Sequence, residues 1–315
     1  MNARSIAAFI AIIAMALAGP AFAQDEFDEV PEGVLQGEVA APKPKVNNLP
    51  FNIYGLSGLM LTTSTRTLRP GSFEVGLGGT WEESSTPTYY RREAMLLGTV
   101  GIPGGLEFGF RVPYVMTDLV VEETFTNLGV LDRNYAQKDK TGIGSVEGMF
   151  KWGFVQQHNF LPAFAIGLGG IAPAGKYEDG LGDVKTYGAK VMLALGIELN
   201  DLAFTDYAFA VMGDGTLVLR DAWIDDQEYE EKSGLVHAGM IFPLHPRNFL
   251  ELIIEYEGEL QRGTTNEEDA NALAPSLRFV VDHFNVSAGA KYTFKEDPDY
   301  GETWTFLGTF SYTYF

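Results

Sequence analysis

The stretch Leu250-Glu-Leu-Ile-Ile-Glu-Tyr-Glu-Gly-Glu-Leu260 decides the fold. Leu250, Leu252, Ile254, Tyr256 and Leu260 fall on one phase of a two-residue period, and Glu251, Glu255 and Glu257 fall on the other. Successive side chains of a β-strand point to opposite faces, so this is a strand with one apolar and one charged face. It is longer than the five or six residues usual in globular domains and suits the roughly 9–11 residues of a tilted membrane strand.

The same period recurs along the chain. Phe73, Val75, Leu77 and Trp81 oppose Glu74; Phe108, Phe110, Val112 and Tyr114 oppose Glu107 and Arg111. Phe150, Trp152 and Phe154 oppose Glu147 and Lys151, Val191 to Ile197 alternate against Lys190 and Glu198, and Val286, Tyr292 and Phe294 oppose Lys291. Weaker runs over 89–100, 160–171, 204–220, 234–243, 272–282 and 303–315 bring the total to twelve strands. The connections alternate in length. Those at 101–105, 156–159, 200–203, 244–248 and 283–284 are short; those at 83–88, 117–144, 172–185, 221–233, 263–271 and 296–302 are long. An even strand number with short turns at one end and longer loops at the other is the pattern of an outer-membrane barrel. The expectation is an all-β, 12-stranded antiparallel transmembrane β-barrel over residues 72–315, with both termini in the periplasm. A soluble β-sandwich would alternate too, but with shorter strands.

Upstream, Arg4, the apolar run Ile6–Ala18 and Ala21-Phe22-Ala23 form a secretory signal peptide over residues 1–23. Residues 24–50 are acidic and carry Pro42, Pro44 and Pro50, which predicts a flexible linker, either merely solvated or docking a periplasmic partner. Residues 51–71 are expected to be a plug or periplasmic cap, since a thirteenth strand would break the even count. Phe315 ends the sequence as the barrel-assembly machinery would read it, although Thr313, Ser311 and Thr309 put the aromatics one position out of the usual phase. Zero cysteines exclude a disulfide scaffold, a thiolate metal site and a cysteine nucleophile. A net charge of −20 argues against nucleic acid as a partner.

Lysine or arginine on the lipid face at mid-bilayer costs about 2–4 kcal/mol, so the polar phase must face inward. That predicts a lumen lined by Glu74, Glu107, Arg111, Glu147, Lys151, Lys190, Glu198, His237, Glu251, Glu255, Glu257, Arg278 and Lys291. Glu251, Glu255 and Glu257 on one strand would repel one another if dry, which predicts a water-filled, acid-biased lumen with a preference for cations. The competing reading is a salt-bridged interior that passes nothing. Trp81, Trp152, Trp223 and Trp304 read as interfacial girdle residues against outer-membrane lipid and lipopolysaccharide. Asp225, Asp226, Glu228, Glu230 and Glu231 form a weak divalent-cation candidate in an outer loop, without the spacing of an EF-hand; a solvated loop is the plainer reading. His158, His245 and His283 sit in turns, and His237 on a strand, with no zinc-ligand spacing among them. No cofactor and no catalytic residue is expected. A barrel hydrolase would need a serine facing His237, and Ser233 is merely near.

Two stretches carry resemblances. Gly55-Leu-Ser-Gly-Leu-Met-Leu-Thr-Thr-Ser64, Arg69-Pro-Gly-Ser-Phe-Glu-Val-Gly76 and Gly101-Ile-Pro-Gly-Gly-Leu-Glu-Phe-Gly109 resemble the start of YjbH-like outer-membrane proteins linked to exopolysaccharide, which usually have Pro-Thr where this chain has Thr63-Ser64. Gly142 to Lys151 and Leu161-Pro-Ala-Phe-Ala-Ile-Gly-Leu-Gly-Gly-Ile-Ala-Pro-Ala-Gly-Lys176 are similar to the MetA-pathway (phenol degradation) outer-membrane transporter family, whose members are taken to be channels for aromatic compounds. The resemblances imply passive passage of small solutes, hydrophobic or aromatic ones among them. A non-conducting barrel that supports polysaccharide export is the alternative, and a lipid hydrolase the third.

Overall fold

A computed structural model describes residues 49–85, 88–125, 131–158, 161–175, 181, 187–199, 210–224, 227–244, 249–262, 269–295 and 303–314. The predicted signal peptide, nearly all of the linker, His245 and Phe315 lie outside them. Thirteen strand segments follow in order: β1 (Phe73–Ser85), β2 (Thr88–Ile102), β3 (Leu106–Phe125), β4 (Leu131–Ile143), β5 (Val146–Val155), β6 (Ala163–Ala172), β7 (Gly188–Glu198), β8 (Ala210–Ile224), β9 (Gln227–Pro243), β10 (Leu250–Arg262), β11 (Asp269–Val281), β12 (Phe284–Lys295) and β13 (Thr303–Tyr314).

Twelve of these are independent strands. Segments β4 and β5 pair with the same edge of β3, from Phe125↔Leu131 to Tyr114↔Ile143 and then from Arg111↔Glu147 to Leu106↔Trp152. They are two halves of one strand, interrupted at Gly144-Ser145. Pro113 faces the break, and the Gly144 N–H donates to its carbonyl at 2.8 Å. Every described pairing is antiparallel, and β1 pairs with β2 on one side and β13 on the other, from Phe73↔Tyr314 to Ser84↔Thr303. With β2 on β3, the sheet closes on itself and has no free edge within the barrel.

The alternation resolves into outside and inside as burial requires. Leu77 is 61% exposed on the outer face and Glu74 is 1% exposed inside. Phe73, Phe150, Ile166, Leu168, Leu277 and Phe306 share the outer face. A contiguous apolar belt of this extent on every side would be insoluble in water and marks the surface that meets lipid. Trp81, Trp152 and Trp304 also point outward, the first and third toward the long-loop ends of their strands and Trp152 toward the short-turn end. The side chain of Trp223 lies outside the described residues. Leu77→Arg, near the middle of β1, should cost about 2–4 kcal/mol in denaturant unfolding from lipid vesicles.

Four expected loops are shorter than the sequence suggested: 83–88 leaves only 86–87 between β1 and β2, 263–271 ends where β11 starts at Asp269, and two others shrink more. Within 117–144, β3 runs on to Phe125 and returns as β4; within 221–233, β8 reaches Ile224 and β9 starts at Gln227. Backbone pairing extends these hairpins past the apolar belt, where the two-residue pattern has no lipid to answer to.

Candidate functional site

Residues 49–68 run inside the barrel, and their apolar side chains complete a core with the apolar residues set among the charges of the inner wall. Leu49 and Leu59 pack on Ala210, Met212, Ile241 and Ile253; Phe51 packs on Met95 and Leu97. Leu56 meets Ala165, Met192 and Ala194, while Met60 and Leu61 meet Ala274 and Leu307. Where the segment touches the wall, the wall has thinned to backbone. A Cβ on Gly109 would lie 2.1 Å from the Gly55 carbonyl oxygen, and one on Gly239 would lie 2.5 Å from Leu59 Cδ1.

Asn52, fully buried, shapes the segment. Its Oδ1 accepts the N–H groups of Tyr54 (3.0 Å) and Leu56 (3.1 Å), and its Nδ2 donates to the Leu61 carbonyl (3.4 Å) and Thr63 Oγ1 (3.0 Å). Gly55 completes the turn at φ 77°, a conformation that side-chain-bearing residues rarely adopt. Asn52→Ala leaves buried N–H groups without an acceptor, at about 1–3 kcal/mol. It should raise the rate of proteolysis within 49–72 by roughly tenfold or more, since cleavage follows the population of the opened form.

The wall holds the backbone N–H groups of this segment through carboxylates on four strands. Glu74 accepts the Phe51 N–H at 3.1 Å and the Ser311 hydroxyl. Glu107 accepts the N–H groups of Ser57 and Leu68, each at 2.9 Å, and the Ser57 hydroxyl. Asp214 accepts the Thr63 N–H at 2.6 Å. Glu255 takes three successive N–H groups, Met60 (3.1 Å), Leu61 (2.9 Å) and Thr62 (2.7 Å). Lys151, ion-paired with Glu107 at 2.9 Å, donates to the carbonyls of Ser57 (3.2 Å) and Arg66 (2.7 Å). Arg278 pairs with Glu251 and reaches the Gly58 carbonyl, Thr99 donates to the Gly55 carbonyl, and Arg66 Nε donates to Glu198 at 2.5 Å. Most of these groups lie in the short-turn half of the barrel.

Closer to the long loops the inner wall carries two arcs of alternating charge. In one, Arg91 and Arg111 flank Glu93, and Arg111 and Lys190 flank Glu147, with Lys190 at 2.5 Å. In the other, His237 bridges Asp214 (2.9 Å) and Glu257 (3.2 Å), and Lys291 holds Glu257 at 2.9 Å. Tyr54 stands between the arcs. Its ring centroid is 5.9 Å from that of His237 and 5.5 Å from Lys190 Nζ. Burial pushes the Tyr54 phenol well above its ordinary pKa, and Glu257 acts in the same direction, so the ring stays neutral. A cavity of about 30 Å³ remains beside Tyr54, lined by Leu56, Thr63, Glu147, Met149, Lys190, Met192, Asp214, Thr216, Leu235 and His237. That is room for about two waters.

The inward residues expected from the sequence thus separate into two groups. Glu74, Glu107, Lys151, Glu198, Glu251, Glu255 and Arg278 surround the segment, and Arg111, Glu147, Lys190, His237, Glu257 and Lys291 form the arcs. The expected repulsion along Glu251, Glu255 and Glu257 does not arise. Arg278 on β11 compensates Glu251, backbone N–H groups compensate Glu255, and His237 on β9 with Lys291 on β12 compensates Glu257. One strand read alone omits the neighbours that its register brings alongside. Both ring nitrogens of His237 face carboxylates, and Ser233, four residues away on β9, is not at either. The side chains of Asp225, Asp226, Glu228, Glu230 and Glu231 lie outside the described residues.

Asp214, Glu93, Tyr54 and Asn52 were missed in the sequence. The first two sit in phase with the other inward charges and were within reach of the parity argument. The last two lie in a segment without period.

No family model matches this chain, and no curated protein does. Solved structures do match. An outer membrane channel from Pseudomonas putida F1 aligns with 80% of this chain and 98% of its own at 11% identity and a TM-score of 0.56. The NanC porin aligns with 76% and 98% at 8% identity and 0.46, and the beta domain of the Bordetella autotransporter BrkA with 78% and 100% at 14% and 0.46. The first of these likenesses, the lipid-facing belt and the closed pairing agree: the chain has the fold of a twelve-stranded antiparallel outer-membrane β-barrel.

Proposed function

We propose that this chain is an outer-membrane channel for small solutes, kept shut in its short-turn half by residues 49–68. The observation that carries the reading is how the segment sits. Leu49 and Leu68 both lie near the short-turn ends of the strands, so the segment enters and leaves the barrel at one end. It can be withdrawn without unthreading and without breaking a wall pairing. Its anchors are charged groups that water can satisfy once it leaves. A bore filled solely by its own wall side chains, as in eight-stranded barrels, would offer no such route. The similarity to the MetA-pathway family points to hydrophobic or aromatic solutes, and the short turns and both termini are assigned to the periplasm.

Single-channel recording of the refolded chain, residues 24–315, in a planar bilayer with a salt gradient tests this. Discrete current steps are expected. Silence from a barrel shown to be inserted would favour the second reading, a non-conducting barrel that supports polysaccharide export. The paired charges and the small cavity are what speak for that reading.

A further inference from the structure

The carboxylates around residues 49–68 differ in what they keep once the segment leaves. Glu107 keeps Lys151 at 2.9 Å, Glu251 keeps Arg278 at 2.6 Å and Asp214 keeps His237 at 2.9 Å, because those partners stand on the wall. Glu74, Glu198 and Glu255 have no wall cation in ion-pair contact among the described residues. Glu74 accepts the Phe51 N–H and the Ser311 hydroxyl, Glu255 accepts three N–H groups of the segment, and Glu198 is paired with Arg66. Arg66 is the sole charged residue of 49–68 and goes with it. Withdrawal therefore bares three carboxylates on β1, β7 and β10, strands of which no two are neighbours in the closed ring. The arcs nearer the long loops are paired wall to wall and keep their partners. Of the three glutamates that suggested an acid-biased lumen, only Glu255 is left uncompensated in the emptied bore. Water entering the bore solvates these groups as carboxylates. Their field, focused by a low-dielectric wall, draws cations and repels anions, as rings of carboxylates do in cation channels.

We propose that Glu74, Glu198 and Glu255 are the selectivity residues of the opened channel, and that its solutes are neutral or cationic rather than anionic. Among hydrophobic and aromatic compounds, the uncharged ones are admitted and free carboxylates are disfavoured. The inference rests on the channel reading and gives its solutes a charge class. Opening and selectivity are one event, since the departing segment both clears the path and uncovers the charges along it.

The test is the reversal potential of the open steps of the whole refolded chain, recorded in a planar bilayer under a KCl gradient. Permeability to K⁺ is expected to exceed that to Cl⁻ by roughly fivefold or more. Glu74→Gln, Glu198→Gln and Glu255→Gln should each lower the ratio, and the triple variant should bring it close to one. Glu198, whose side chain is 24% exposed, is the least buried of the three, so Glu198→Gln keeps the test decisive if the other variants fail to fold. Steps without preference or with preference for Cl⁻, or a cation preference that Glu198→Gln leaves unchanged, would overturn the inference and leave the channel reading standing. A barrel shown to be inserted that gives no steps at all would overturn the channel reading, and this inference with it.

Discussion

Removing residues 49–68 should raise the conductance of the barrel at least tenfold over that of the full chain. The segment is anchored on β1, β2, β3, β5, β7, β8, β10 and β11, so it reaches nearly every side of the bore. What is left has twelve strands, between the eight whose own side chains fill the interior and the sixteen that leave an aqueous channel. The measurement is the single-channel step in a planar bilayer, taken beside a heat-modifiability gel that shows the shortened chain has closed into a barrel. Glu255→Ala is the milder form of the same experiment, since it removes the acceptor of three consecutive N–H groups and leaves the chain whole. It should lengthen the open time more than the step height. A shortened barrel that is closed, inserted and as quiet as the full chain would mean that something other than this segment obstructs the lumen.

Lys151→Met should destabilise the protein by about 3–5 kcal/mol, the range for removing one partner of a buried ion pair. Lys151 and Glu107 are both fully buried, so neither can turn to water when the other is lost. The substitution also removes the Lys151 hydrogen bonds to the carbonyls of Ser57 and Arg66. Urea unfolding from lipid vesicles reads the loss. Adding Glu107→Gln should recover part of it, because the second change removes the unpaired charge; simple addition of the two single effects would show that the pair is not coupled.

The barrel was legible because lipid enforces the pattern. Leu250 to Leu260 had to alternate to meet hydrocarbon on one side and charge on the other, and the same holds for the strands around Phe73, Phe150 and Val286. Where that constraint ends, legibility ends with it. Residues 118–125 and 131–140 carry Asp118, Glu122, Asp132, Arg133 and Lys138, charges that read as loop, yet they pair as β3 and β4. Inward charges could be found by phase, but not their partners. That Glu251 lies opposite Arg278 follows from the β10–β11 register, and no single strand encodes a register. Residues 49–68 were hardest to read, since their conformation follows from Asn52 and from carboxylates as many as 195 positions away in the chain.

The segment within the bore also sets how the molecule exchanges its amide protons. Wall amides are tied into a closed ring of ladders and can open only with the barrel itself. The amides of Phe51, Ser57, Met60, Leu61, Thr62, Thr63 and Leu68 are tied to side chains, which can let go while every ladder stays intact. Such a unit has its own opening free energy, below that of the whole. In deuterated buffer these seven amides should exchange together as one cooperative block, with protection that tracks the closed state of the bore and is insensitive to changes on the lipid-facing surface.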